Sequence, residues 1–133
     1  NQNGTQKRRA SETRQIIFDA CRDILQRQGL AQLTLDTVAD EANLSKGGLL
    51  YHFPTKLALI EAVIQDYNAR FDRRIDELLT STQEGGSNYL RAYALASIEE
   101  ISDPDNASLF ASLFAAGERY PSVLEIMRQS YER

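Results

Sequence analysis

The sequence predicts an all-α fold, in which a group of three helices at the N-terminus is followed by a helical bundle. Apolar residues recur at three- and four-residue spacing along most of the chain, as they do on the buried face of a helix. Ser, Thr, Asn, Gly and Pro separate these segments at positions typical of helix caps and breaks. No segment shows the convincing two-residue alternation of a β-strand.

Length and composition are those of a folded globular chain: 133 residues, 42% hydrophobic and 26% charged. No apolar run approaches the roughly 20 residues of a transmembrane helix, and we expect no membrane partner. The lone Cys21 excludes an intrachain disulfide, and one Cys with one His cannot build a structural zinc site. The first residues lack the apolar core of a signal peptide, which predicts a cytoplasmic protein.

Charge is distributed unevenly along the chain, whose formal net charge is −4. Residues 1–56 carry eight Lys and Arg against six Asp and Glu, whereas residues 57–133 carry seven against thirteen. A mildly basic first part and an acidic second part indicate that the two parts have different roles, although charge asymmetry alone also arises by chance.

The first predicted helix runs from Ser11 to Gln28, with Ser11 as its N-cap and Gly29 after its end. A short connector over residues 30–33 follows. The apolar residues of the helix form a double ridge that repeats every four positions, which predicts one buried face. These residues are Ile16, Ile17, Ala20, Cys21, Ile24 and Leu25.

The next two predicted helices are short. Thr34 is the expected N-cap of a helix from Leu35 to about Ala42. Asn43 tolerates the left-handed backbone that a tight turn requires, and Ser45 caps a third helix over residues 46–52.

The remaining chain is predicted to form one long helix, from about residue 55 to residue 79, and three shorter ones. The apolar face of the long helix is wide enough to touch neighbours on two sides. The stretch that contains Gly85 and Gly86 is the best candidate for a flexible loop. The three shorter helices are expected over residues 89–101, 107–116 and 121–131.

Two short helices joined by a tight turn, after one longer helix, are the layout of a helix-turn-helix unit. In such a unit the last helix enters the major groove of DNA. Gly47 and Gly48 lie at the start of that helix and cost about 2 kcal/mol of helix propensity relative to alanine. Close approach of the backbone to DNA would compensate for this cost, and a barely helical loop is the alternative interpretation.

A more specific pattern runs through residues 14–60. Its positions are Ile17, Ala20, Leu25, Gly29, Thr34, Val38, Ala39, Ala42, Ser45, Gly47, Leu49, Phe53, Lys56 and Leu59. This pattern resembles the DNA-binding domain of the tetracycline-repressor (TetR) family of bacterial transcription regulators. Two positions depart from it, because that family usually has Gly where this chain has Asn43 and often has an aromatic residue where it has Leu50.

The resemblance implies a homodimer whose two recognition helices read a pseudo-palindromic operator in double-stranded DNA. It further implies a repressor that a small-molecule effector releases or modulates. Lys46 and Lys56 would contact phosphates, while threonine and aromatic side chains would position the protein or read bases. The expected DNA-binding residues are Thr34, Thr37, Ser45, Lys46, Gly47, Gly48, Tyr51, His52 and Lys56.

The resemblance also suggests a division of the chain into three parts. Residues 1–10 would form a flexible basic arm, residues 11–56 the helix-turn-helix DNA-binding domain, and residues 57–133 an effector-binding and dimerisation domain. Family members usually continue into two more helices that form the dimer interface, so the last part is expected to be incomplete or, as the alternative, the protein is an unusually short form.

The large apolar and amphipathic residues of residues 57–133 have two possible interpretations. They are either plain core or, as the resemblance implies, the wall of an effector pocket between the long helix and the helices after it. The candidate pocket residues are Tyr67, Phe71, Tyr93, Phe110, Phe114 and Met127.

No catalytic residue, metal site or cofactor is predicted. Carboxylates such as those of Glu99 and Glu100 lack an accompanying His, Cys or Gly-rich phosphate loop, so we do not expect an enzyme. The alternative function is an all-helical protein–protein adaptor that docks through the long helix and does not bind DNA. Such an adaptor has no reason to lose duplex affinity steeply with added salt.

Overall fold

A computed structural model describes residues 2–81 and 88–131, and helices account for most of them. Within these ranges there is no strand, which confirms the predicted all-α class, and no helix is long and apolar enough to cross a bilayer. The loop predicted around Gly85 and Gly86 lies outside the described residues. The helices are α1 (Gln2–Arg27), α2 (Leu35–Glu41), α3 (Lys46–His52), α4 (Lys56–Thr80), α5 (Asn88–Ser102), α6 (Pro104–Arg119) and α7 (Pro121–Tyr131), with a 3₁₀ turn at Leu30–Gln32.

Local capping determines where α2 and α3 begin. The Thr37 N–H donates to Thr34 Oγ1 at 3.1 Å, and the Thr34 N–H donates in return to Thr37 Oγ1 at 2.9 Å. Ser45 Oγ accepts from the Gly48 N–H at 3.0 Å. Asn43 joins the two helices in the left-handed region, with φ 55°. The predicted caps and the predicted turn are therefore confirmed, because each depends on a few neighbouring residues.

The predicted start of the first helix at Ser11 is wrong, because α1 begins at Gln2. Gln, Lys, Arg and Ala dominate the preceding residues and favour helix. The Arg8 guanidinium also pairs with Glu12 one turn later at 2.9 Å. Residues 2–10 thus form a helical extension of α1, which is exposed except at the half-buried Ala10.

The buried face of α1 also differs by one position from the prediction. Ile16 is 50% exposed, whereas Phe18 is buried. The ring of Phe18 lies 5.7 Å from that of Phe53, which follows α3. Because of this contact, the buried face of α1 includes Phe18 in place of Ile16. The contact depends on how Phe53 packs against α1, which the spacing of apolar residues within α1 does not show.

α6 is longer than predicted at both ends. Asp103 caps its start by accepting from the Asp105 N–H, and Pro104 occupies the first turn, where its missing N–H has no helical partner to lose. The break expected from residue 117 is confined to Tyr120. Gly117 stays helical and buried, since Met127 and Leu124 of α7 pack where a side chain would project.

One apolar core extends through α1, α2, α3, α4, α6 and α7. In its centre Cys21 is fully buried, and this burial raises the pKa of the thiol to about 12. A smaller cluster of Ile75, Ala92 and Ala96 joins α4 to α5. The predicted domain boundary between residues 56 and 57 falls in the first turn of α4, where no break in the helix or the core occurs. The division into domains stays a prediction.

Candidate functional site

One face of α3 is anchored in the core, and this anchoring determines which residues the opposite face presents. Leu49 is fully buried and Phe53 nearly so. The Arg14 guanidinium of α1 lies 4.8 Å from the centroid of the Phe53 ring, so a cation covers the end of the helix. The short α3 is consequently held by packing rather than by its own weak helix propensity.

The opposite face of α3 is open. Tyr51 is 80% exposed, and its ring meets that of His52 edge-on at a centroid distance of 5.1 Å. Gly47, one turn before Tyr51, is exposed too, and a Cβ built there meets no heavy atom of the described residues within 4 Å. Packing within the chain therefore does not require glycine at position 47. A large external partner that approaches the backbone closely would require it.

Gly48 has a different environment from Gly47. A Cβ at Gly48 would come 3.1 Å from Ser45 Oγ, which is the cap acceptor of the helix. The contact with Ser45 Oγ therefore explains a glycine at position 48, whereas no contact among the described residues explains the glycine at position 47.

The hydroxyls predicted to contact DNA are engaged within the protein. Thr37 is half-buried, and its Oγ1 donates to the carbonyl of Gln32 at 2.8 Å, besides its place in the capping box with Thr34. Ser45 Oγ caps α3. Thr34, Thr37 and Ser45 therefore stabilise the starts of α2 and α3. A hydrogen bond from any of them to DNA would come in addition to these bonds within the protein.

Two lysines lie at the starts of helices. Lys46 Nζ is 3.0 Å from Asp36 Oδ1 of α2, and both side chains are mostly exposed, so this pair adds little stability and can exchange with another anion. Lys56 begins α4, where Thr55 Oγ1 accepts from the Ala58 N–H. The sequence reasoning missed the role of Asp36, since nothing in the spacing shows that α2 and α3 bring it to Lys46.

A second feature is a cavity of about 290 Å³ between α4, α5, α6 and α7. Four of the six predicted pocket residues line it, namely Tyr67, Phe71, Tyr93 and Phe110. The prediction missed other lining residues, which include Asn68, Asp72, Ile75, Tyr89, Ser97, Glu100, Ile101, Ala107 and Ser130. A signal for three of them was available, because steps of three and four residues from Phe71 and Tyr93 lead to Ile75, Ser97 and Glu100.

Phe114 and Met127 do not line this cavity, and their place in an effector pocket stays a prediction. Phe114 is 51% exposed on the outer side of α6, where its ring stacks on that of Phe110 at 6.5 Å. Met127 is half-buried and packs against the main core beside Gly117. Apolar character alone did not distinguish these two positions from the cavity wall.

α6 connects the cavity to the N-terminal helices. Ser108 Oγ donates to the carbonyl of Gln26 at 3.0 Å, and Ser112 Oγ donates to that of Leu25 at 3.1 Å. Both acceptors lie in the last turn of α1, whose carbonyls have no partner within the helix. The same helix carries Phe110 to the cavity. A movement of α6 would therefore either shift the last turn of α1 or break these two hydrogen bonds.

Among the residues that the structure describes, no group of three His, Cys, Asp or Glu side chains could hold a metal ion.

Comparison with known proteins agrees with the helix-turn-helix arrangement. Residues 17–63 match the model of the family described as "Bacterial regulatory proteins, tetR family". The HTH-type transcriptional regulator SrpR of Pseudomonas putida is 40% identical over 55 residues, which are 41% of this chain and 26% of SrpR. CymR of the same species, also an HTH-type transcriptional regulator, is 27% identical over 129 residues, which are 97% of this chain and 63% of CymR.

Solved structures extend the similarity beyond the N-terminal helices. Salmonella enterica GusR is 30% identical with a TM-score of 0.72, and the match covers 91% of this chain and 61% of GusR. The multidrug binding protein EbrR, solved with malachite green, is 27% identical with a TM-score of 0.71, and the match covers 90% of this chain and 69% of EbrR. The chain spans between about a quarter and two thirds of the length of these proteins.

Proposed function

We propose that the chain is a DNA-binding transcriptional regulator of the tetR family, because residues 17–63 match the model of that family and SrpR is similar over 55 residues. In this proposal α3 is the recognition helix, and two copies of the chain read the two halves of a pseudo-palindromic operator. Regulation is by repression, which a small molecule in the cavity between α4 and α7 relieves or modulates.

The observation that carries the proposal is the two-sided character of α3. Its inner face is fixed by Leu49 and Phe53, and its outer face presents Gly47 and Tyr51 to solvent. A rigid helix with an exposed aromatic ring and an open backbone position suits insertion into the major groove, which is wide enough to admit a helix. Lys46 and Lys56 would then supply phosphate contacts on either side.

Selection of bound duplexes from a random DNA pool tests this function. We expect recovered sequences with two related half-sites, because dimer symmetry is mirrored in operator symmetry. We also expect affinity to fall steeply with added salt. A chain that retains no duplex from the pool would contradict the proposal and favour the protein–protein adaptor, and DNA binding without a salt dependence would contradict the proposed phosphate contacts.

Lys56→Ala is expected to weaken binding to every duplex by a similar factor. One lost phosphate contact should make the slope of log affinity against log salt shallower by about one. The measurement is a titration of operator and random duplex at several salt concentrations. Arg73→Ala is the matched control, since it removes one positive charge from an exposed position further along α4. A similar change of slope in both variants would contradict a specific contact by Lys56.

The proposed regulation requires that the cavity and the recognition helices be coupled. α6 supplies both the cavity residue Phe110 and the hydroxyls of Ser108 and Ser112, which bind the last turn of α1. A ligand with different affinities for two positions of α6 would shift α1, and with it α3. That EbrR was solved with malachite green supports a ligand role for this cavity.

Ser112→Ala is expected to loosen this connection. Loss of the hydrogen bond to the Leu25 carbonyl should lower the free energy of unfolding by about 1 kcal/mol. Amide hydrogen exchange in the last turn of α1 should become faster. Denaturant unfolding and exchange measurements check both effects. Ser11→Ala makes the same chemical change at an exposed helical position and should show neither. Unchanged exchange in the Ser112 variant would contradict the coupling through α6.

A further inference from the structure

The charged residues that line the cavity between α4 and α7 are all acidic, among the residues that the structure describes. Asp72 of α4 and Glu100 of α5 both line it, and no Lys, Arg or His is among its described lining residues. Both carboxylate side chains belong to half-buried residues. Because Glu100 lies on a partly enclosed wall and no cationic side chain is among the described lining residues, its carboxylate favours a negative potential inside the cavity, where fewer water molecules and ions screen it.

Aromatic rings form much of the remaining wall. The Phe71 and Tyr93 rings stand perpendicular with centroids 5.7 Å apart, and the Tyr89 ring lies 6.4 Å from that of Tyr93. Tyr67 and Phe110 complete this aromatic lining. The faces of such rings attract cations as well as apolar groups.

Arginines lie near the cavity, but their charges are already compensated. A neighbouring cavity of about 140 Å³ is lined by Arg22, Arg70 and Arg74. Arg74 Nε is 2.7 Å from Glu99 Oε2, Arg70 Nε is 2.9 Å from Asp66 Oδ2, and Arg22 pairs with Asp19. Glu100 lines both cavities and, over the ranges 2–81 and 88–131, forms none of the ion pairs.

We propose that the cavity takes an organic cation with an aromatic or apolar body, whose charge lies near Glu100 and Asp72. This inference rests on the proposed function, in which the same cavity is the effector site. An anionic ligand would meet two carboxylates in the cavity wall and arginines that are already paired. A neutral ligand would leave the Glu100 carboxylate, which forms no ion pair over the ranges 2–81 and 88–131, without a cationic partner.

Tetraphenylphosphonium and tetraphenylborate test the charge preference, because they share size and shape and differ in the sign of their charge. The 133-residue chain is titrated with each ion by calorimetry at the same salt concentration, without DNA. We expect tetraphenylphosphonium to bind at least about tenfold more tightly than tetraphenylborate. Equal affinities, a preference for tetraphenylborate or binding of neither ion would overturn the proposal.

Neutral variants identify the groups responsible. Glu100→Gln and Asp72→Asn should each weaken tetraphenylphosphonium binding by about tenfold and leave tetraphenylborate binding equal or tighter. Glu118→Gln and Asp76→Asn remove the same charge at exposed positions outside the cavity, and both should keep the wild-type affinity for each ion. Similar losses in all four variants would show a general effect of net charge and contradict the assignment.

Two further measurements distinguish a variant that no longer folds, and a chain that does not bind DNA, from a cavity that does not prefer cations. Thermal unfolding of each variant shows whether a lost affinity reflects a lost fold, and the wild-type comparison of the two ions does not depend on any variant. Operator binding on the same preparation tests the proposed regulator separately. A chain that binds its operator but prefers tetraphenylborate would retain the proposed function and lose only the cationic ligand class.

Discussion

Replacement of Tyr51 by alanine is expected to weaken binding to the selected operator by about 10–100-fold and to leave binding to random duplex within about twofold. The side chain is 80% exposed on the outer face of α3, so in the proposed complex its removal takes away a contact with DNA bases, while almost no packing within the chain is lost. Competition titrations of the two duplexes at one salt concentration measure the difference. Thermal stability should stay unchanged.

Two further variants make the Tyr51 experiment specific. Tyr51→Phe keeps the ring and removes the hydroxyl, and so separates stacking or apolar contact from a hydrogen bond to a base edge. Tyr89→Ala removes a half-exposed tyrosine of α5 and should leave both DNA affinities unchanged. An equal loss on operator and random duplex would mean that Tyr51 contacts only the backbone of DNA. No loss on either would show that the assigned face of α3 is wrong.

Leu49→Ala should lower the free energy of unfolding by about 2–5 kcal/mol, the range for truncation of a fully buried leucine. Leu49 is the one residue of α3 that is completely enclosed in the core shared with α1 and α4. Its removal leaves a cavity beneath α3. Urea unfolding followed by circular dichroism measures the change, and operator binding should fall with it.

Leu90→Ala is the matched control for the packing argument. Leu90 is 70% exposed on α5, and the same truncation there should change the free energy of unfolding by no more than about 0.5 kcal/mol. A Leu49 variant as stable as the Leu90 variant would contradict the packing of α3 described above. The contrast with Tyr51→Ala is equally informative, since one change removes stability and the other only recognition.

The sequence by itself determined the features of this protein that depend on neighbouring residues. The caps at Thr34 and Ser45, the left-handed turn at Asn43 and the short length of α2 and α3 all follow from a few consecutive side chains. The helix-turn-helix pattern could be found for the same reason, because its buried positions recur at helical spacing within residues 17–63.

Only the tertiary structure decided which residues meet across the chain. Periodicity shows that a residue faces inwards, but it does not distinguish a core position from a cavity wall. Phe110 lines the cavity and Phe114, one turn later, does not, because the direction of α6 against α5 and α7 sets that difference. The contacts of Lys46 with Asp36 and of Ser112 with Leu25 likewise join separate helices. Such pairs depend on how whole helices pack, which no local stretch of sequence specifies.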